Sequence, residues 1–490
     1  MPASHRRANL SDGREILFFQ DLDSPAPTIA ADPRPHDSRP DSGTLRFDVL
    51  TGEWVAVATH RQTRTHLPAA AECPLCPSTP DRPTEIPAVD FDVAVFENRF
   101  PSLGPGLGDV PSAQSVDTTF AEAAADSVET VTSALSGPGY GRCEVVVFSS
   151  EHTGSFACLG TARARTVIDA WADRTAELSA LPGIEQVFMF ENRGEEIGVT
   201  MNHPHGQIYA YPYVTPHTAI TSARAREHLR RTGRPLLGDV LAFEREAGER
   251  MIFETDHFSA FVPFAARWPI EVHLVPRRQV GSVDELDESE RDDLARVYPE
   301  VLRRIDGLYP SPTPYIAAWH QAPVNSADRR ADWLHLEITS PRRAENKLKF
   351  LAGSEAAMGA FVGDVSAEEQ HRRDRADPEV VHRRHAVLGT RGGHAHDLHG
   401  AEVGRDERES RDPSRQAPSG EEELDARGDP ALGEPTDAED EDEVDRYQQI
   451  VDPLCVQADC FQGSSICVSA SLRNASVHGC VWCKTPEWTL

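Results

Sequence analysis

Two histidines stand two residues apart in the run His203-Pro204-His205-Gly206-Gln207. On an extended chain, positions i and i+2 point to the same side, so both rings and the Gln207 amide would address one site. Tyr209, Tyr211 and Tyr213 continue the alternation and favour an extended reading. Pro204 removes a ladder hydrogen bond and predicts an edge or interrupted strand there. A neutral imidazole has a nucleophilic nitrogen near neutral pH, because its unperturbed pKa is about 6.5. A phosphoryl group held on that nitrogen is readily passed on, which suits a double displacement. Gln207 would offer an uncharged donor to phosphoryl oxygens. Gly206 would let the backbone come close to a phosphate. The plainer reading is two ordinary histidines around a turn-like proline, and five residues alone leave both open.

Cys73-Pro74-Leu75-Cys76 is a second group with chemistry in it. Two thiols at this spacing serve a metal site or a redox dithiol. The chain has 490 residues and nine cysteines, five of them after residue 450. That is too sparse for a disulfide framework across the body. No apolar stretch approaches the roughly 18 residues of a membrane helix. The first residues lack the apolar core of a secretory signal, so the cytoplasm is the expected compartment. The net charge of -30 argues against a general nucleic-acid binder. Much of the acidic excess lies between Ala401 and Arg446 and reads as solvated tail.

These residues need elements to hold them. Residues 1–43 are polar and rich in Pro and Asp, and read as a flexible arm. Residues 45–59 predict a hairpin, with a turn at Thr51–Trp54. From about residue 91 to 341 the chain carries a weak internal repeat. The first copy runs from a strand at Cys143–Ser150 through a helix from about Thr161 to Leu181. It continues with a strand at Gln186–Gly194 and a strand through the histidine run. The second copy runs from Glu271–Gln279 through a helix ending near Leu308, then strands at Pro314–Pro323 and Ala331–Pro341. Val167, Ala170, Trp171, Ala176 and Leu178 form one apolar helical stripe, and Leu294, Val297, Val301, Leu302 and Ile305 the other. Strand–helix–strand runs of this kind predict an α+β fold with helices packed on a sheet. Beyond residue 369 the composition turns Arg-, His- and acid-rich, and disorder is expected over 370–490.

The histidine run resembles the active-site signature of the galactose-1-phosphate uridylyltransferases, a branch of the histidine-triad superfamily. Other segments resemble that family in order along the chain: Leu50–Val55 followed by His60, Arg61 and Arg64; Cys73–Cys76; Phe96–Pro101; Phe190–Gly194; Trp319–Pro323; and Lys349–Gly353. The matches span roughly residues 44 to 365. The resemblance implies a duplicated histidine-triad-like fold, a mostly antiparallel sheet flanked by helices, with a catalytic domain over 44–215 and a second domain over 216–369.

It also implies roles. His205 would be the nucleophile that takes UMP from UDP-glucose and passes it to galactose 1-phosphate, and Gln207 would hold the transferred group. Arg61 and Arg64 would serve phosphate oxygens, a task suited to planar donor forks. Phe96, Asn98, Phe190 and Asn192 would surround the uridine and phosphates. Lys349, Phe350 and Glu355 match positions that handle the hexose phosphate, while Ser354 and Phe361 replace a Tyr and a Gln of better-known relatives. Cys73, Cys76, His152 and His203 would bind a structural zinc ion, since a closed Cys2His2 set leaves no position for water. His320, His335 and Glu337 match a second metal site, diminished because Glu337 replaces a common His and Thr221 a common Glu. Homodimers are expected. The alternatives are an ADP-glucose phosphorylase or related nucleotidylyltransferase on the same scaffold, and a zinc-stabilised nucleotide-sugar-binding protein without catalysis.

Overall fold

The apolar runs become strands of one large sheet. The computed structural model describes residues 5–35, 43–105 and 128–374. The reading of the tail as disordered lies, beyond residue 374, outside the described residues. In chain order the strands are β1 (His5–Asn9), β2 (Glu15–Phe19), β3 (Thr44–Asp48), β4 (Glu53–Val57), β5 (Val93–Glu97), β6 (Ser136–Pro138), β7 (Arg142–Val147), β8 (Gln186–Arg193), β9 (His205–Tyr211), β10 (Met251–Glu254), β11 (Phe258–Phe261), β12 (Ile270–Pro276), β13 (Tyr315–His320) and β14 (His335–Ser340). Four longer helices are α1 (Thr161–Ser179), α2 (Pro216–Thr232), α3 (Leu236–Ala247) and α4 (Glu288–Gly307).

Eleven strands form one sheet in the order β1-β2-β5-β7-β9-β8-β13-β14-β12-β11-β10, and β4-β3-β6 form a small separate sheet. The order reads the same outward from the central β8–β13 pair: β9, β7, β5, β2 on one side and β14, β12, β11, β10 on the other. In sequence, α1 separates β7 from β8 and α4 separates β12 from β13. The expected repeat is therefore present, and the α+β class with an antiparallel sheet and flanking helices holds.

Both repeat helices pack on one face. Val167, Ala170, Trp171 and Leu178 of α1 are buried, as are Leu294, Val297, Val301, Leu302 and Ile305 of α4. Ala176, assigned to the stripe from sequence, is exposed instead. Trp171 stacks on Phe156 at 5.6 Å and meets Trp319 of β13 at 6.1 Å. Full burial of side chains this large contributes roughly 1.5–3 kcal/mol each. Asp287 and Glu290 form a capping box that satisfies orphan amides at the start of α4, worth about 1 kcal/mol.

β1 and β2 correct the expectation of a flexible arm over residues 1–43. Ile16, Leu17, Phe18 and Phe19 are buried, and β2 pairs with β5. Arg14 is buried beside them. It donates to the Glu97 carbonyl at 2.8 Å and Asp12 at 2.7 Å, and pairs with Glu85. Among the described residues no helix is long and apolar enough to cross a membrane.

Candidate active site

The face opposite the repeat helices carries the chemistry. Strand β9 begins at His205, directly after Pro204, and lies between β7 and β8 rather than at an edge. Its burial alternates, with Gly206, Ile208 and Ala210 buried and His205, Gln207 and Tyr209 partly open. A Cβ at Gly206 would lie 3.0 Å from Phe148 Cζ and 3.1 Å from the Phe190 carbonyl. The glycine thus serves packing toward Phe148 rather than the approach of a phosphate.

His203 sits just outside the strand and is buried. Its Nδ1 lies 3.8 Å from Cys73 Sγ and 3.6 Å from Cys76 Sγ, and His152 Nδ1 lies 3.4 Å from Cys76 Sγ. The four ligand atoms all fall within 4.8 Å of one another, so this group is able to hold a metal ion. His203 Nε2–H donates to the Ser149 carbonyl at 2.8 Å, leaving Nδ1 as the free lone pair toward the thiols. Burial pushes the Cys73 thiol up to about 11 and the His203 ring down to about 4. The imidazole is therefore ready to ligate, whereas a cation would have to displace a thiol proton.

His205 Nδ1 lies 2.7 Å from the His203 carbonyl oxygen. A carbonyl only accepts, so Nδ1 carries the proton and Nε2 the lone pair. Burial lowers the His205 pKa, which keeps the ring neutral. The ring lines a cleft together with Arg61, Arg64, Phe96, Asn98 and Gln207. The structure brings these sequence-derived residues together. Arg61 Nη1 donates to the Phe100 carbonyl at 3.0 Å and Ser102 Oγ at 2.8 Å. Asn98 Oδ1 accepts from the Phe100 amide at 2.9 Å. Glu85, Arg99, Thr200 and Met201 also line the cleft and were not singled out from sequence.

Residues 36–215 match the family described as galactose-1-phosphate uridyl transferase, N-terminal domain, and residues 221–386 match its C-terminal domain. A galactose-1-phosphate uridylyltransferase of Streptomyces lividans is 44% identical over 347 residues, covering 69% of this chain and 88% of that protein. The enzyme of the same name from Thermotoga maritima is 34% identical, covering 67% of this chain and 96% of its own. The chain belongs to the galactose-1-phosphate uridylyltransferase family. A solved uridylyltransferase structure superposes with a TM-score of 0.58 at 28% identity, covering 69% of this chain and 99% of its own.

In this uridylyltransferase family member, Phe190 adjoins the cleft without lining it, and the other sequence-derived substrate residues do not line it either. Phe190 stacks on Phe188 at 5.2 Å and stands opposite Gln207 in the β8–β9 register. Asn192 stands opposite Ile316. Lys349 is buried, with Nζ 2.8 Å from Glu355 and 3.0 Å from the Arg267 carbonyl. Phe350 is 76% exposed, and with Lys349 it lines a separate surface pocket.

The second repeat holds its own cluster. His335 begins β14 as His205 begins β9, and Glu337 follows where Gln207 does. Glu337 lies 3.4 Å from His320 and 3.3 Å from His335. The three ligand atoms fall within 4.8 Å of one another. Sequence reasoning missed His273, whose Nε2 is 3.7 Å from Glu337 and 3.4 Å from Glu271. The alternation Glu271-Val272-His273 was the available signal. Although burial opposes ionisation, the imidazoles of His320 and His335 hold the Glu337 carboxyl far below the usual range. Thr221 lines the same pocket, of about 500 Å³, where a carboxylate would add a ligand.

Proposed function

We propose that this chain transfers UMP from UDP-glucose to galactose 1-phosphate through a covalent intermediate on His205. The observation that carries the reading is the unprotonated Nε2 of His205, fixed by the Nδ1–H···O=C bond at 2.7 Å, in a cleft with Arg61, Arg64 and Gln207. In the first half-reaction Nε2 attacks the α-phosphorus, the P–N bond forms, and the P–O bond to glucose 1-phosphate breaks. In the second, a phosphate oxygen of galactose 1-phosphate attacks the same phosphorus, the P–N bond breaks, and UDP-galactose leaves. Arg61 and Arg64 offset charge on the non-bridging oxygens, and the Gln207 amide donates to the oxygens as charge shifts in the transition state.

The metal held by Cys73, Cys76, His152 and His203 is read as zinc, because two thiolates and two imidazoles with no open position suit a tetrahedral structural site. It would tether His203, whose carbonyl orients the nucleophile. A second ion at His320, His335 and Glu337 has fewer donors, and His273 is the added candidate. The reading also includes a homodimer in which a second copy supplies the hexose-phosphate contacts. Phe350, Met358 and Val362 are exposed apolar side chains beside Lys349 and Glu355, which supports it. A reduced Cys73–Cys76 pair fits the cytoplasm.

The test is incubation with UDP-glucose labelled at the α-phosphate, then a quench in base. A base-stable, acid-labile label on the protein, lost in His205→Ala and discharged by galactose 1-phosphate, is expected. Label from ADP-glucose discharged by orthophosphate would favour the phosphorylase instead. Binding of UDP-glucose with no label at all would leave a non-catalytic binder.

A further inference from the structure

Gln207 and Tyr209 stand two residues apart on β9 and share the open face of the strand. The Tyr209 ring meets Phe190 edge-on at 5.2 Å and Tyr211 at 5.9 Å, so its position is set by packing. Its hydroxyl lies 3.5 Å from Arg61 Nη1 and 3.4 Å from Gln207 Oε1. These three groups have a fixed polarity. A guanidinium only donates, and Arg61 Nη1 gives its two hydrogens to the Phe100 carbonyl at 3.0 Å and Ser102 Oγ at 2.8 Å, so the phenol oxygen shares one of them at 3.5 Å and receives the Ser102 hydroxyl hydrogen as well. A phenol has a single hydrogen, which is then directed to the Gln207 carbonyl oxygen. An amide whose oxygen is engaged in this way presents its NH2 group to the cleft. Flipped, the same amide would turn a lone pair toward phosphoryl oxygens and repel them.

We propose that Tyr209 is a positioning residue for the transfer: its hydroxyl sets the amide polarity of Gln207 and links it to Arg61. The inference rests on the reading of Gln207 as the donor to the transferred phosphoryl group. Ser102 Oγ and the Phe100 carbonyl accept from Arg61 at 2.8 Å and 3.0 Å, so the relay starts from an anchored cation.

Tyr209→Phe keeps the ring and removes only the hydroxyl. In a single-turnover quench with α-labelled UDP-glucose, the rate of His205 labelling should fall about tenfold, the scale of one lost hydrogen bond. The dissociation constant for UDP-glucose should change less than about twofold, and the melting temperature should stay, because the packed ring remains. Gln207→Ala should slow labelling at least as much, and adding Tyr209→Phe to it should have no further effect, since the oriented group is gone. A tenfold loss that is the same in both backgrounds would overturn the proposal, as would no loss in the Gln207 background of the natural enzyme. Undiminished labelling in Gln207→Ala alone would instead remove the underlying reading of Gln207, and the proposal with it.

Discussion

Glu191 sits on β8 between two residues of the site face, yet its own side chain points to the helix side and is buried. It accepts from Tyr315 Oη at 2.8 Å and Tyr298 Oη at 3.1 Å. Burial raises its pKa from the ordinary 4.5 to about 7, despite both hydroxyls. Between those values the folded protein keeps a proton that the unfolded chain has released. Stability from this group is therefore full below about pH 4.5 and falls as pH rises toward 7. The shift of about 2.5 pH units corresponds to about 3 kcal/mol at 1.36 kcal/mol per unit. Glu191→Gln keeps the shape and cannot ionise, so it lacks this loss. Denaturant unfolding of both proteins at several values from about pH 5 to about pH 8.5 checks it. The natural protein should lose about 2.5 kcal/mol relative to the variant across that range, the remainder being lost already below about pH 5. A difference that stays constant within about 0.5 kcal/mol at every pH would refute the reasoning.

On the proposed zinc site, Cys76→Ser should lower the metal content measured by mass spectrometry, and should lower the melting temperature by roughly 2–4 °C or more if about 2 kcal/mol of metal linkage is lost. Retention of zinc and of melting temperature would argue against the four-ligand site. On the proposed homodimer, Phe350→Asp should shift sedimentation to the monomer, and should reduce galactose 1-phosphate-dependent discharge of the His205 label more than its formation. A monomeric natural protein with full turnover would remove the shared-site reading.

The residues of the His205 cleft were legible because their chemistry is local. The histidine pair, and the thiol pair beside it, show in a few letters, and the alternation in β9 fixed which side chains share a face; Arg61, Arg64, Phe96 and Asn98 came only through the family resemblance. The helical stripes were legible for the same reason, apart from Ala176, which is exposed. What failed to show depended on partners far away in the chain. Residues 15–19 are a short, nearly continuous apolar run that reads as a buried strand only once β5 is there to pair with it. The Pro- and Asp-rich flanks outweighed it. His273 looked like a lone histidine in an apolar strand, and became part of a cluster through the His273–Glu337 register. The hexose-phosphate candidates matched by position, yet Lys349 turns inward to Glu355 and backbone carbonyls, an orientation that no local pattern encodes.

The seam between β8 and β13, where Met189 faces Trp319 and Arg193 faces Tyr315, has a further consequence. A chain severed after residue 215 would give two fragments, each ending in a raw row of unpaired amides and carbonyls at what is now the middle of the molecule. Rows of that kind recruit any strand within reach. The fragments would have to meet each other before each met its own copies, so the central seam makes the two halves depend on one another.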